Sequence, residues 1–301
     1  MAAGLAVAAS GAAAELARAS IIDTHTHFYD PTRPEGVPWP GKDDAVLYRR
    51  VLPNDYKAIA KPLGITGTVV VEASPRIEDN QWLLDLARDE PFVLGIVGRL
   101  IPGGADFEKH LSRFAKNPLF RGIRISSAEL QRALKSDGER GRFKALGDAG
   151  LTLDVNGGPE LLPAVAELAK VLPDLPIVIN HMANVMVDGG PPPQDWVKGL
   201  KAAAAGKNVW CKLSALVDST RMRGQKAPTN LDFYRPVVNA VWEAFGAERL
   251  LFGSNWPVSD HFASLPTVYR LAAEFVKAKG EDTFTRVFVA NAKAAYRLTR
   301  G

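Results

Sequence analysis

Apolar residues in this chain fall into short β-branched runs separated by longer stretches with helical spacing. Ile21-Ile22 opens the first run, which ends in Asp23-Thr24-His25-Thr26-His27. The second, Gly67-Thr68-Val69-Val70-Val71-Glu72, is apolar at consecutive rather than alternate positions, as in a strand covered on both faces. Further strands are predicted at 92–97, 120–125, 151–155, 176–181, 208–213 and 249–253. Helical spacing fills the intervals at 54–63, 77–88, 105–114, 128–149, 159–171, 194–204, 233–245 and 265–278, and a last helix is predicted at 284–298. Asn54 is the predicted cap of the first helix and Pro62-Leu63-Gly64 its stop; Ser136-Asp137-Gly138 breaks the long one. Alternating strands and helices imply a parallel sheet with right-handed crossovers. Eight such units in 301 residues predict an α/β protein of the (β/α)8 TIM-barrel class. The rival, a doubly wound open sheet, lacks its signature: no strand leads into a G-x-G-x-x-G or G-x-x-x-x-G-K-[ST] turn.

Composition narrows the function classes. The chain is 47% hydrophobic and 23% charged, as in a globular protein with a large core. Its one cysteine, Cys211, excludes a disulfide framework and follows Val209-Trp210, which predicts a buried thiol rather than a nucleophile. The net charge of +4 is spread thinly, without the basic stripe of a nucleic-acid binder, and is compatible with an acidic small-molecule substrate. No stretch reaches the roughly 20 apolar residues of a membrane span. The segment 1–14 is almost wholly Ala, Gly, Val and Leu and ends in Ala12-Ala13-Ala14. It resembles the apolar core and cleavage site of an export signal without the basic leader. Residues 1–19 are therefore read as a truncated signal remnant or a tail, ahead of one barrel domain at 20–301. Export follows in the first case and a cytoplasmic location in the second; homo-oligomerisation is left open.

Candidate chemistry collects where a barrel keeps its active site, at the C-terminal ends of the strands. His25 and His27, two apart on a strand, share a face about 7 Å apart. Later strand ends supply Glu72 and Ser74, Arg99, Arg124, Asp154 and Asn156, His181 and Asn184, Lys212 and Ser214, and Ser254 and Asn255. Three of the chain's five histidines are in this set; His110 and His261 are read as solvated. Trp39 lies in a Pro- and Gly-rich loop at 30–42, a length at which loops are often functional.

These residues carry a resemblance. Asp23-Thr24-His25-Thr26-His27, Val71-Glu72-Ala73-Ser74, Arg121-Gly122-Ile123-Arg124, Asn180-His181, Cys211-Lys212-Leu213-Ser214 and Leu251-Phe252-Gly253-Ser254-Asn255-Trp256-Pro257 resemble the amidohydrolase-related metal-dependent hydrolases. Within them they are most similar to the branch of sugar-lactone and pyrone-dicarboxylate lactonases. The resemblance implies that His25, His27 and His181 are the functional histidines. It also implies a divalent ion such as zinc or manganese on the first-strand pair, or, as in some lactonases, no bound metal. Asn255 stands where the family has a water-activating aspartate, and an amide cannot take a proton as a carboxylate can. Asn156 or its neighbour stands in place of a fifth-strand histidine. Both departures weaken a metal site, although three histidines can hold zinc with one open position.

The expected reaction is hydrolysis of a lactone or similar ester of a small, oxygen-rich acid. The carbonyl would be polarised by His181 or by a metal, and water deprotonated by a histidine or by Asp154. Asp154 is otherwise an anchor for Arg124, and Arg124 either grips a substrate carboxylate as a fork or sits in an internal ion pair. Glu72, Asn156, Asn184 and Trp39 are the remaining expected substrate contacts, with the loop at 189–193 as a further cover. A decarboxylase and a non-catalytic binding barrel are the alternatives, the latter motivated by Asn255.

Overall fold

The computed structural model describes residues 20–300; the segment 1–19 lies outside them. Eight strands form one sheet in chain order, every neighbouring pair parallel: β1 Ile21–Thr26, β2 Ile65–Val71, β3 Val93–Gly98, β4 Phe120–Ser126, β5 Thr152–Asn156, β6 Ile177–Ile179, β7 Val209–Leu213 and β8 Leu250–Phe252. Backbone bonds just past β8 join it to β1: Asn255 N–H donates to His25 O at 2.9 Å and His27 N–H to Trp256 O at 2.9 Å. The sheet is a barrel, and the open-sheet alternative is excluded. Gly253 permits this seam, because a Cβ there would lie 2.8 Å from the His25 Cβ.

The helices are α1 Pro53–Ala60, α2 Glu78–Ala87, α3 Phe107–Phe114, α4 Ser127–Leu134, α5 Asp137–Asp148, α6 Leu162–Val171, α7 Gln194–Ala204, α8 Leu231–Phe245, α9 Leu265–Lys277, α10 Glu281–Thr285 and α11 Asn291–Tyr296. No described helix is long and apolar enough to cross a membrane. Asn54 does not cap α1. Pro53 occupies the first turn, where its missing N–H costs nothing, and Asp55 accepts from the Leu52 N–H at 2.9 Å. The break at Ser136 is present: Ser126 and Ser136 cap α4 and α5 through bonds from the Glu129 and Glu139 N–H groups.

Two irregular stretches were not legible in the pattern. The last predicted helix is interrupted by a π turn, Arg286–Ala290, which buries Phe288 against Phe252 of β8, ring centroids 4.8 Å apart. The sixth strand stops at Ile179, and His181, Met182, Ala183 and Asn184 then run through the left-handed region with φ between 44° and 56°. L-residues visit this region singly, at roughly 1–2 kcal/mol each. Four in succession persist because the turn is buried and tied, the Trp196 indole donating to Met182 O at 2.9 Å. The core lies mainly between barrel and helices. A second apolar cluster fills the barrel itself, where Tyr296 of α11 packs with Ile22, Val69, Leu94, Val178 and Leu251. Cys211 is buried with its thiol pushed up to about 12 by desolvation, so it is inert as a nucleophile.

Candidate active site

The C-terminal mouth of the barrel holds a cavity of about 630 Å³, a volume suited to a small organic molecule. His27, Trp39, Glu72, Arg99, Arg124, Glu129, Asn156, His181 and Asn255 are among its lining. The first-strand histidines and His181 converge: the His25 ring centroid is 5.0 Å from that of His27 and 4.3 Å from that of His181. Trp39 stands edge-on to His27 at 5.8 Å and covers one side.

Each imidazole is held through Nδ1. His27 Nδ1 is 2.9 Å from Val71 O. A carbonyl only accepts, so that nitrogen carries the proton and His27 Nε2 is a bare lone pair. His181 Nδ1 is 2.8 Å from Ser214 Oγ, which leaves its Nε2 unengaged. His25 Nδ1 faces Lys212 Nζ at 3.2 Å. Lys212, fully buried, also donates to Asp154 at 2.8 Å, and an ammonium can only donate. The His25 proton is therefore on Nε2, a buried atom without a partner. Burial is the main cause of a lowered pKa at all three histidines, reinforced by Lys212 or Arg124; His27 is brought down to about 3. At neutral pH the cluster is uncharged and keeps its lone pairs.

The structure moves several expected site residues. Asp154 does not reach the cavity and does not anchor Arg124. It lies beneath the histidines with no exposed surface, accepting from Lys212 and Asn180 at 2.8 Å and from the Tyr296 hydroxyl at 3.0 Å. Arg124 instead pairs with Glu72: Nε donates to Oε1 at 2.9 Å and one Nη to the Glu72 carbonyl at 2.7 Å. The second Glu72 oxygen accepts from Ser74 N–H at 2.8 Å. Asn184 is behind the wall, donating to Asn156 Oδ1 at 3.1 Å and Gly157 O at 2.9 Å, so it orients Asn156 rather than lining the cavity. The loop at 189–193 is not part of the lining either. His261 is not solvated; its Nε2 is 3.0 Å from Asp44.

Sequence reasoning missed three residues. Glu129 binds Arg99 at 2.5 Å in the cavity wall; the pattern Ser126-x-x-Glu129 before a helix was its available signal. Tyr296 enters the barrel from the last helix. Asp218, in the turn after β7, accepts from Asn255 Nδ2 at 2.9 Å. Burial raises its pKa to about 7, and its other oxygen is buried without a partner. Nothing in the local sequence marks either of the last two.

A divalent ion on the three imidazoles would need three lone pairs and benefits from negative charge. His25 offers a proton at Nε2 and an ammonium at Nδ1, Asp154 is taken up by Lys212, and Asn255 is neutral. No group of three His, Cys, Asp or Glu side chains among the described residues stands in a metal-binding arrangement. The donor set does not fit a tightly held zinc or manganese.

A closed parallel barrel with uncharged histidines and hydrogen-bond donors gathered at one mouth is the architecture of a (β/α)8-barrel enzyme. The chain belongs to the amidohydrolase family, whose sequence model matches residues 22–298. It is 33% identical over 290 residues to an L-fucono-1,5-lactonase of Burkholderia ambifaria, a match covering 93% of this chain and 96% of that one. An amidohydrolase of Burkholderia multivorans crystallised with bound zinc superposes with a TM-score of 0.84 at 24% identity, over 93% of this chain and all (100%) of the other. A probable 2-pyrone-4,6-dicarboxylic acid hydrolase of Acinetobacter baumannii, with citric acid bound, superposes at 0.71 and 17% identity, over 93% of this chain and 100% of the other. The last two likenesses concern the fold.

Proposed function

We propose that this protein hydrolyses the lactone of a neutral, polyhydroxylated acid, with His27 as general base. The observation that carries the reading is the His27 tautomer: Nδ1 is committed to Val71 O, which leaves a bare Nε2 in the cavity wall. A water there attacks the lactone carbonyl as His27 takes its proton. The ring C–O bond then breaks, and the leaving alkoxide takes the proton back from His27, giving the open hydroxy acid. Arg124 leaves one guanidinium nitrogen without a partner among the described residues, a donor for the developing oxyanion. The likeness to an L-fucono-1,5-lactonase supports the same chemistry.

Charge balance supports a neutral substrate over the acidic one expected from the sequence. Both arginines of the lining are paired with glutamates, Arg99 with Glu129 and Arg124 with Glu72. A carboxylate in this cavity meets no uncompensated cation, whereas hydroxyl groups find donors and acceptors at Glu72, Glu129, Asn156 and Ser74.

The test is a panel of aldonolactones and pyrone carboxylates, with chelator and with added zinc or manganese. The expected result is opening of neutral sugar lactones at a rate that chelator leaves unchanged. His27→Gln is expected to lower kcat by about 10²–10⁴-fold, the range for loss of a general base. No turnover of any lactone, or turnover of dicarboxylates alone, overturns the reading.

A further inference from the structure

Asn255 is the conspicuous feature of the cavity wall: a neutral amide beside the base, and behind it a carboxylate that does not touch the cavity. Asp218 Oδ1 lies 2.9 Å from Asn255 Nδ2. Oδ1 is the acceptor whether the carboxyl is ionised or carries its proton on the unpartnered Oδ2, so the amide nitrogen faces Asp218 and the amide oxygen faces away from it. That oxygen lies on the side of His27, where it favours a protonated imidazole. Asn255 itself has φ 60°, in the left-handed region, with its N–H bonded to His25 O at 2.9 Å, so its backbone is fixed across the seam of the barrel. Only the side-chain amide is left to turn, and Asp218 decides which way.

The result is two acceptors side by side, His27 Nε2 and Asn255 Oδ1. They do not satisfy each other. A molecule with two donors and a free lone pair satisfies both, and water is that molecule. Asp218 meanwhile keeps Oδ2 buried and unpartnered, a cost that folding alone gives no reason to bear.

We infer that Asp218 is a positioning residue: by holding the Asn255 amide nitrogen it turns the amide oxygen toward His27, so that the pair seats the attacking water. The water donates one hydrogen to each acceptor and keeps a lone pair for the carbonyl carbon. Asp218 accepts no proton from the attacking water and touches no substrate. This rests on the hydrolytic reading above and explains how the site works with an amide in place of a carboxylate at position 255.

The test compares Asp218→Leu, Asp218→Asn and the parent. The leucine variant removes the acceptor, and the amide is free to turn its nitrogen toward His27. The expected result is a fall in kcat of about 10–100-fold, the usual effect of losing a group that orients another, with KM within about twofold. The asparagine variant keeps an oxygen that can accept from Asn255, and rescues most of the loss. Equal losses in the two variants overturn the inference, as does a folded Asp218→Leu protein with the parent's kcat. Crystal structures of parent and Asp218→Leu supply a readout independent of turnover. A water bridging His27 Nε2 and Asn255 Oδ1 in the parent and absent from the variant is expected; a parent without that water sinks the inference. A bridging water in a parent that opens no lactone sinks the hydrolytic reading and leaves the positioning geometry standing.

Discussion

At the scale of single residues, burial decides the chemistry of this mouth more than residue type does. On a surface strand the His27 imidazole would titrate in its ordinary range; desolvated in the barrel mouth and bonded to Val71 O it is a neutral acceptor with one defined tautomer. Asp218 is the converse case, a carboxyl that burial keeps protonated up to about pH 7. Between its ordinary value of 3.8 and about 7 the folded chain holds a proton that the unfolded chain has released, so this group lowers stability as pH rises through that window. Asp218→Asn removes the ionisable group and keeps the bond to Asn255. Thermal melts are expected to show no difference from the parent near pH 4 and a more stable variant at pH 8, by on the order of 4 kcal/mol. A variant less stable than the parent at pH 8 contradicts this account of Asp218.

At the scale of elements, the barrel seam and the turn after β6 place the histidines. β1 and β8 approach closely enough that Gly253 has no room for a methyl group: its Cβ would meet His25 Cβ at 2.8 Å and Ser214 Cβ at 3.1 Å. Ser214 in turn holds His181. Gly253→Ala is therefore expected to cost about 1–3 kcal/mol, the range for overpacking a tight site. It is also expected to lower kcat, since it pushes on the supports of two histidines at once. Urea unfolding with kinetics on the same preparation checks both; an unchanged kcat would show that the seam does not set the site's geometry. The histidine pair was legible because strand alternation brings residues two apart to one face. The left-handed turn carrying His181 was not, because it depends on burial and on the Trp196 bond, neither of which is local.

At the scale of the whole molecule, a polar column runs through the barrel from Tyr296 through Asp154 and Lys212 to His25. The last helix thus reaches the active site from beneath. Lys212 and Asp154 have no exposed surface, and removing one member strands the other's charge. Lys212→Met is expected to destabilise by about 3–5 kcal/mol, and the double variant Lys212→Met/Asp154→Leu to recover most of that, since a buried pair replaced whole by apolar groups is often neutral. Chemical denaturation of the two variants measures this. A double variant as unstable as the single would mean that Tyr296 and Asn180, not the ion pair, set the energy.

The sequence by itself determined the number and order of strands, the barrel they close into, and the gathering of His25, His27 and His181. These follow from periodicity and from the rule that puts strand ends at one mouth. Which charge meets which was decided only by the folded chain. Glu72 for Arg124, Glu129 for Arg99, Lys212 for Asp154 and Asp218 for Asn255 are all choices among residues from different strands and turns. A strand fixes the face its side chains take. The partner across the barrel depends on shear, loop path and burial, which no local stretch of sequence contains.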